Sequence, residues 1–324
     1  MRKDQVIRGY RVITKPSNAN AGKCLWAFAE KDGKEYFIKE FLDPKIPRAD
    51  AMGSVADKKR RYAECERFEQ RHRQVMQLLN ADWMHAGNLV PAVDFFAEET
   101  RYYKVTERVE HEDVEPHELP WNKQRLLLRT LADSLRLLHG CGIVHGDLKP
   151  ENVLLHRPPQ STLLTAKLID FDDAYPAGQP PSAETIGGDA VYCAPEWLRY
   201  VRGDAVALTQ AADMFAFGLL LHTYLVGSPP DHGPDCDSAA AAVLTGAPLI
   251  WADDLGSEIT DLLAALTDPD PAARPEITEV DEILTDLPEA KTPAPGRSRV
   301  RINIGGRPAP PPPMKPGKRL RINP

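Results

Sequence analysis

Residues 6–39 read as short strand-rich segments, broken at Ser17-Asn18-Ala19-Asn20-Ala21-Gly22 and at Lys31-Asp32-Gly33-Lys34. Apolar runs bounded by Gly, Asn and Asp predict strands joined by turns. Residues 57–80 are charged, lack Pro and Gly, and place Phe68, Val75, Met76 and Leu79 on one side. That spacing predicts a mostly exposed helix with a narrow apolar face. Strand-like runs return over 89–96 and 102–109. From Pro120 to His139 the pattern is a strongly amphipathic helix, with Pro120 suited to its first turn and Gly140 to its end. Further helices are predicted at about 210–226 and 257–267. Strands therefore come first and helices later.

Composition narrows the class. The chain has 324 residues, 42% hydrophobic and 27% charged, as expected of a soluble globular protein. Its most apolar long stretch, residues 214–227, is too short for a bilayer and contains His222, which predicts a buried helix rather than a membrane span. No apolar leader opens the chain, so no secretory signal is expected. Cys24, Cys65, Cys141, Cys193 and Cys236 are scattered and form no CxxC pair. This favours reduced thiols in a cytoplasm and argues against a zinc site.

Charge is unevenly spread. Residues 291–324 carry nine Lys and Arg and no acid, so the net −7 of the whole leaves −16 on residues 1–290. From about Pro288 the chain is rich in Pro, Gly and Arg, which predicts a disordered or polyproline-like tail. The tail contains a near-repeat, Arg299-Val300-Arg301-Ile302-Asn303 and Arg319-Leu320-Arg321-Ile322-Asn323. Such an arm suits an acidic protein partner or a sheet edge that accepts an added strand; a solubilising linker is the alternative. No aromatic residues interleave with the charges, so stacking readout of nucleic acid is unsupported.

The densest chemistry lies in His145-Gly146-Asp147-Leu148-Lys149-Pro150-Glu151-Asn152. Phosphoryl transfer needs an Asp to orient a hydroxyl and take its proton, a Lys to steady the γ-phosphate, and an Asn oxygen for a metal ion. Fifteen residues after Leu155 comes Asp170, in Leu168-Ile169-Asp170-Phe171-Asp172, a buried-strand pattern ending in a carboxylate suited to Mg²⁺. The pair resembles the catalytic loop and metal-binding motif of eukaryotic-type Ser/Thr protein kinases, and the resemblance covers roughly residues 8–285.

That resemblance implies an α+β, two-lobed protein-kinase-like fold. A small β-rich N-lobe would span 1–109, a larger helical C-lobe 110–288, and the disordered basic tail 289–324. It implies ATP and Mg²⁺ as cofactors and protein Ser/Thr hydroxyls as substrates. Asp147 and Lys149 would be catalytic, and Asn152 and Asp170 would hold metal. Lys39, in Tyr36-Phe37-Ile38-Lys39, would clamp the α- and β-phosphates, paired with Glu69 or, next in preference, Glu66. Gly22 would belong to a phosphate-covering loop in which Ser17 and Ala19 replace the usual glycines. Thr106 would be the gatekeeper, and Glu107 to Val109 the hinge that meets adenine. Ala194-Pro195-Glu196, Asp213 and Arg274 match structural positions of the same family.

Several departures bear on chemistry and control. Phe37 stands where a small residue usually roofs adenine, so crowding or restacking of the base is expected. Asp172 replaces a glycine, which removes a hinge; its carboxylate is expected either to touch a metal or to be solvated. Gly146 replaces an Arg that docks a phosphorylated activation loop, so activity without such phosphorylation is expected. Asp189 replaces a Thr that aligns Asp147 and Lys149, and a hydrogen bond from Lys149 to Asp189 would compensate. Two other classes compete. A small-molecule phosphotransferase of the aminoglycoside or choline kinase kind also uses His-Gly-Asp. A pseudokinase scaffold would bind partners without catalysis.

Overall fold

The computed structural model describes residues 1–19, 22–48, 54–79 and 88–288. The basic tail, 289–324, lies outside the described residues. The strand-rich and helix-rich parts both lie in the compact unit formed by Met1–Ala294.

Strands β1 (Val6–Ile7), β2 (Tyr10–Val12), β3 (Cys24–Lys31) and β4 (Lys34–Phe41) precede helix α1 (Val55–Leu79). Strands β5 (Ala92–Glu98) and β6 (Arg101–Glu107) follow it. All six form one antiparallel sheet in the order β1-β2-β3-β4-β6-β5. Between β3 and β4, Asp32 and Gly33 both have positive φ, 52° and 74°. A two-residue turn of that kind matches the twist of the flanking strands.

Strand alternation separates two faces. Ala27, Ala29, Ile38, Val105 and Phe96 join Ile7, Tyr10 and Val12 in a dry cluster. Lys39 and Phe37 point the other way, opposite Trp26 and Phe28 on β3 and opposite Lys104 and Thr106 on β6. Helix α1 packs on a second cluster at the Phe41 end of β4, through Cys65, Phe68 and Met76. Its buried positions, Cys65, His72, Val75 and Leu79, recur at helical spacing, while most of its charged residues face out.

The rest of the chain is mainly helical. Helix α2 (Trp121–Gly140) buries Leu127, Leu128, Leu131, Leu135 and Leu138. After β7 (Ile143–Val144), β8 (Val153–His156), β9 (Thr165–Leu168) and β10 (Tyr175–Pro176) come α3 (Pro195–Val201) and α4 (Gln210–Val226). Helix α4 is buried over most of its length, as its unbroken apolar pattern predicts. Helices α5 (Ala239–Thr245), α6 (Ser257–Leu266) and α7 (Ile277–Asp286) complete the core, with Leu262, Leu263, Leu266, Val280 and Leu284 buried in it.

Two short pairings position the chemistry. In the β8–β9 hairpin, Val153 lies opposite Leu168, and the Ile169 N–H donates to the Asn152 carbonyl at 3.0 Å. Asn152 and Asp170 are thereby brought to the same end of one hairpin. In the β7–β10 pair, Val144 lies opposite Tyr175, which sets residues 145–147 beside residues 171–174.

Candidate active site

The loop after β7 is held from below by Asp213 on α4. Its Oδ2 accepts the His145 N–H at 2.7 Å and its Oδ1 accepts the Gly146 N–H at 3.0 Å. His139 adds a contact to Oδ2 at 3.0 Å. Asp213 is only 2% exposed, so these bonds are made in a dry setting where they hold firmly. His145, fully buried, donates through Nε2 to the Ile169 carbonyl at 3.1 Å, and its Nδ1 accepts the Asp147 N–H at 3.3 Å. One imidazole thus ties the loop of Asp147 to the segment that carries Asp170.

Asp147 is ringed by donors. Asn152 Nδ2 donates to its carbonyl at 2.7 Å and to its Oδ2 at 2.8 Å. Lys149 Nζ lies 3.1 Å from Oδ1 and 2.9 Å from Oδ2. Asp189 approaches the same ammonium at 3.6 Å, an ion pair too long for the hydrogen bond expected to compensate for its replacement of a Thr. Burial works against the Lys149 charge, but Asp147 and then Asp189 outweigh it and raise the Lys149 pKa. Asp147, Lys149 and Asn152 are thus brought together as the sequence spacing implied.

Gly146 has φ of 79°, and a Cβ added there would fall 2.7 Å from the Asp173 carbonyl oxygen. Both the backbone angle and the lack of space require glycine at this position. Burial, then the nearby Asp172 and Asp147 charges, push the Asp173 carboxyl up to about 6.

Lys39 departs from expectation. Its Nζ is 2.7 Å from Asp170 Oδ2 and 2.7 Å from Asp172 Oδ2. Among the described residues these are its carboxylate partners. Glu69, the expected partner, instead pairs with Arg73 one helical turn on at 2.8 Å and accepts from the Tyr102 hydroxyl at 3.4 Å. Glu66 is exposed. The expectation for Glu69 is therefore corrected: the loop after β9 supplies the carboxylate next to Lys39, and helix α1 does not.

The physical cause is a second lysine. Lys104 on β6 is the register partner of Lys39 on β4, and each is 6% exposed. Like charges directly opposite on neighbouring strands are destabilising, more so when buried. Lys104 Nζ bonds to Asp170 Oδ1 at 3.0 Å and also contacts Asp172 Oδ1. Two cations and two carboxylates close a neutral square. Burial alone would raise the Asp172 pKa, but Lys104 and then Lys39 hold it well below the usual carboxylate range. Burial would likewise strip the Lys39 proton, but Asp172 and Asp170 reverse this and raise its pKa. Of the two outcomes the sequence left open, solvation of Asp172 is excluded: its side chain is 15% exposed and paired with both lysines. Burial drives His72 down to about 3, so this neutral ring, with Nε2 3.9 Å from Asp172, adds no charge. Lys104 was missed in the sequence. The available signal was its place two residues before Thr106 in a strand, which puts both on the face that carries Lys39.

Above this square the sheet is aromatic. Trp26 stacks on Phe37 with centroids 5.5 Å apart, Phe28 meets Phe37 edge-on at 6.2 Å, and Arg108 lies 4.2 Å over Phe28. Trp26 is tethered by Nε1 to the Ala19 carbonyl at 2.9 Å and by backbone bonds to Ser17. Thr106 lies opposite Phe37, Glu107 ends β6 opposite Tyr36, and Val109 is half-buried just beyond. Gly22, in the turn just before β3, has φ of 53° and no atom within 4 Å of an added Cβ. Phe37 and Thr106 therefore share the face that carries Lys39, and Phe37 is already covered by a ring.

Asp170 has φ of 61°, a conformation that costs a non-glycine residue energy and concentrates at functional sites. Farther off, Arg274 grips Glu196 through two bonds, at 2.7 and 3.0 Å, both side chains being buried. This joins the segment that follows Asp189 to the α6–α7 region.

A family model described as the protein kinase domain matches residues 22–283. A probable myosin light chain kinase of Dictyostelium discoideum is 32% identical over 163 residues, 49% of this chain and 51% of that protein. Testis-specific serine/threonine-protein kinase 3 of Mus musculus is 31% identical over 164 residues, 50% of this chain and 58% of that protein. MAP kinase-interacting serine/threonine-protein kinase 2 of Xenopus laevis is 32% identical over 167 residues, covering 46% of this chain and 35% of that protein. The chain thus spans about half the length of the first relatives it matches. With the family match running through residues 22–283, most of its length, this chain belongs to the protein kinase domain family.

Proposed function

We propose that this chain is a protein serine/threonine kinase that transfers the γ-phosphate of ATP to Ser or Thr hydroxyls of protein substrates, with Mg²⁺. The observation that carries this reading is the convergence of Lys149 and Asn152 on the Asp147 carboxylate. A substrate hydroxyl directed at Asp147 gives up its proton there, while Lys149 offsets charge on the moving phosphoryl group. Lys39 meets the other phosphates. Catalysis of this kind rests on positioning and charge, not on a covalent enzyme intermediate.

The residues present fit a divalent metal. Asn152 commits Nδ2 to Asp147, which leaves Oδ1 to face a cation, and Asp170 adds a carboxylate. Two hard oxygen donors completed by phosphate oxygens suit Mg²⁺, which seldom takes an all-protein cage. Among the described residues no cluster of three or more His, Cys, Asp or Glu is placed to hold a metal alone. When bound, the ion neutralises phosphate charge.

The buried Glu196–Arg274 pair and the relatives' printed names favour a protein acceptor over a small molecule. Retention of Lys39, Asp147, Asn152 and Asp170 argues against a scaffold without catalysis. No helix among the described residues is long and apolar enough to cross a membrane; a cytoplasmic location rests on the cysteine pattern. For residues 291–324, the charge and the Arg-x-Arg-Ile-Asn repeat favour a docking arm for an acidic partner or a sheet edge. Incubation of purified protein with γ-labelled ATP and Mg²⁺, alone and with generic protein, aminoglycoside and choline acceptors, tests the reading. Label on protein Ser and Thr is expected. Label on small acceptors alone, or on none, would overturn it.

A further inference from the structure

Lys104 takes no part in the phosphotransfer set, yet it is buried directly across from Lys39. A like charge in register on the neighbouring strand is unfavourable unless something neutralises it. Asp170 and Asp172 do so here, each touching both lysines. The two carboxylates are not equivalent. Asp170 is the one a divalent cation would share, and its side chain is 30% exposed against 15% for Asp172. With Asp170 engaged by a cation, Asp172 remains as the carboxylate for both lysines. It is also fixed from behind, because Arg71 on α1 donates to its backbone carbonyl at 3.0 Å. The charged and titratable groups around it are Lys39 on β4, Lys104 on β6, His72 and Arg71 on α1, Cys24 on β3, and Asp170 and Asp173 on its own loop, with His72 neutral.

We propose that Asp172 is the residue that positions Lys39, that Lys104 is the counter-charge Asp172 requires, and that Glu69 has no part in holding Lys39. This rests on the phosphate-binding role of Lys39 in the phosphotransfer reading. The two residues are one device: Lys104 makes a second carboxylate necessary, and Asp172 supplies it. Lys39 is then set by a carboxylate of the loop after β9, itself braced by Arg71, and not by a carboxylate of α1.

The test uses Glu69→Gln, Asp172→Asn, Lys104→Met and the double variant Asp172→Asn/Lys104→Met in the full chain. Two readouts are taken: thermal unfolding without nucleotide, and steady-state kinetics with ATP and Mg²⁺. Glu69→Gln is expected to stay within about twofold of wild type in kcat and in KM for ATP. Asp172→Asn is expected to lose about 100-fold in kcat/KM for ATP, the scale of a misplaced catalytic group, and to lower the melting temperature. Adding Lys104→Met should recover melting temperature, because the lysine repulsion is gone, without recovering kcat/KM. A purely structural role for Asp172 would restore both together, and that result would overturn the proposal. So would a loss of tenfold or more in Glu69→Gln with Asp172→Asn unaffected, or strictly additive melting shifts in the double variant. If wild type transfers no phosphate, the phosphotransfer reading falls, whereas the melting cycle still decides whether Lys104 and Asp172 are coupled.

Discussion

Asn152 donates two hydrogen bonds to Asp147, one to its backbone carbonyl and one to its carboxylate, at 2.7 and 2.8 Å. The pair fixes the Asp147 side chain and uses only the Asn152 nitrogen, so the amide oxygen takes no part in these two bonds. Asn152→Ala removes both groups. Turnover should fall about 100-fold or more, and the Mg²⁺ concentration for half-maximal rate should rise. A titration of Mg²⁺ at fixed ATP checks this; an unchanged Mg²⁺ requirement would detach Asn152 from the metal.

Gly146 sits where an Arg would be expected, and the structure gives a reason beyond regulation. Its φ is positive and a side chain would press on the Asp173 carbonyl. Gly146→Arg should therefore lower both stability and activity, with about 1–2 kcal/mol from the left-handed backbone alone. It should not create phosphorylation dependence. In the wild type, Ser182→Ala with Thr185→Ala should keep activity within about tenfold, equal to about 1.4 kcal/mol of barrier. Kinetics and melting curves of these variants, before and after phosphatase treatment, decide both points.

Breaking the Glu196–Arg274 pair should be costly. Arg274→Ala leaves a buried carboxylate uncompensated and also removes bonds to the Asp268 and Ala211 carbonyls. A loss of about 3–5 kcal/mol in denaturant unfolding is expected. Glu196→Leu with Arg274→Met should be milder than either single change, because no lone charge remains buried.

Asp173 sets a pH dependence of known sign. An acid whose pKa is raised by folding binds its proton more tightly in the native state, so its favourable contribution is complete below about 4 and is lost as pH rises through about 6. Asp173→Asn cannot ionise. Its stability advantage over wild type should grow between pH 4 and pH 7, on the order of 2–3 kcal/mol for a shift of about two units. Melting temperatures of the two proteins across that range provide the check. A difference that stays flat with pH would show that Asp173 is not buried as a carboxyl.

The candidate catalytic loop was legible because its parts are close in sequence. Asp147, Lys149 and Asn152 lie within six residues, and one short turn brings them together. The helices over 121–140 and 210–226 were legible for a similar reason, since their apolar residues repeat locally. The partner of Lys39 was not. A helical Glu was expected, but the outcome was decided by the cross-strand register of β4 with β6, which no local pattern states. Asp172 was noticed as a missing glycine, yet its role depends on Lys104, 68 residues earlier. Phe37 was expected to crowd the base, and the stacking of Trp26 on it depends on the β3–β4 register together with a tether to Ala19.

The most direct measurement is the turnover of γ-labelled ATP onto a protein acceptor, followed by phosphoamino-acid analysis, for wild type, Asp147→Asn and Asp170→Asn side by side. Wild type should label Ser and Thr. Asp147→Asn should turn over about two to four orders of magnitude more slowly while still binding ATP with Mg²⁺. Asp170→Asn should lose metal-dependent nucleotide binding. Undiminished labelling by both variants would contradict the assignment of Asp147 and Asp170, and with it the reading of this chain as an active protein kinase.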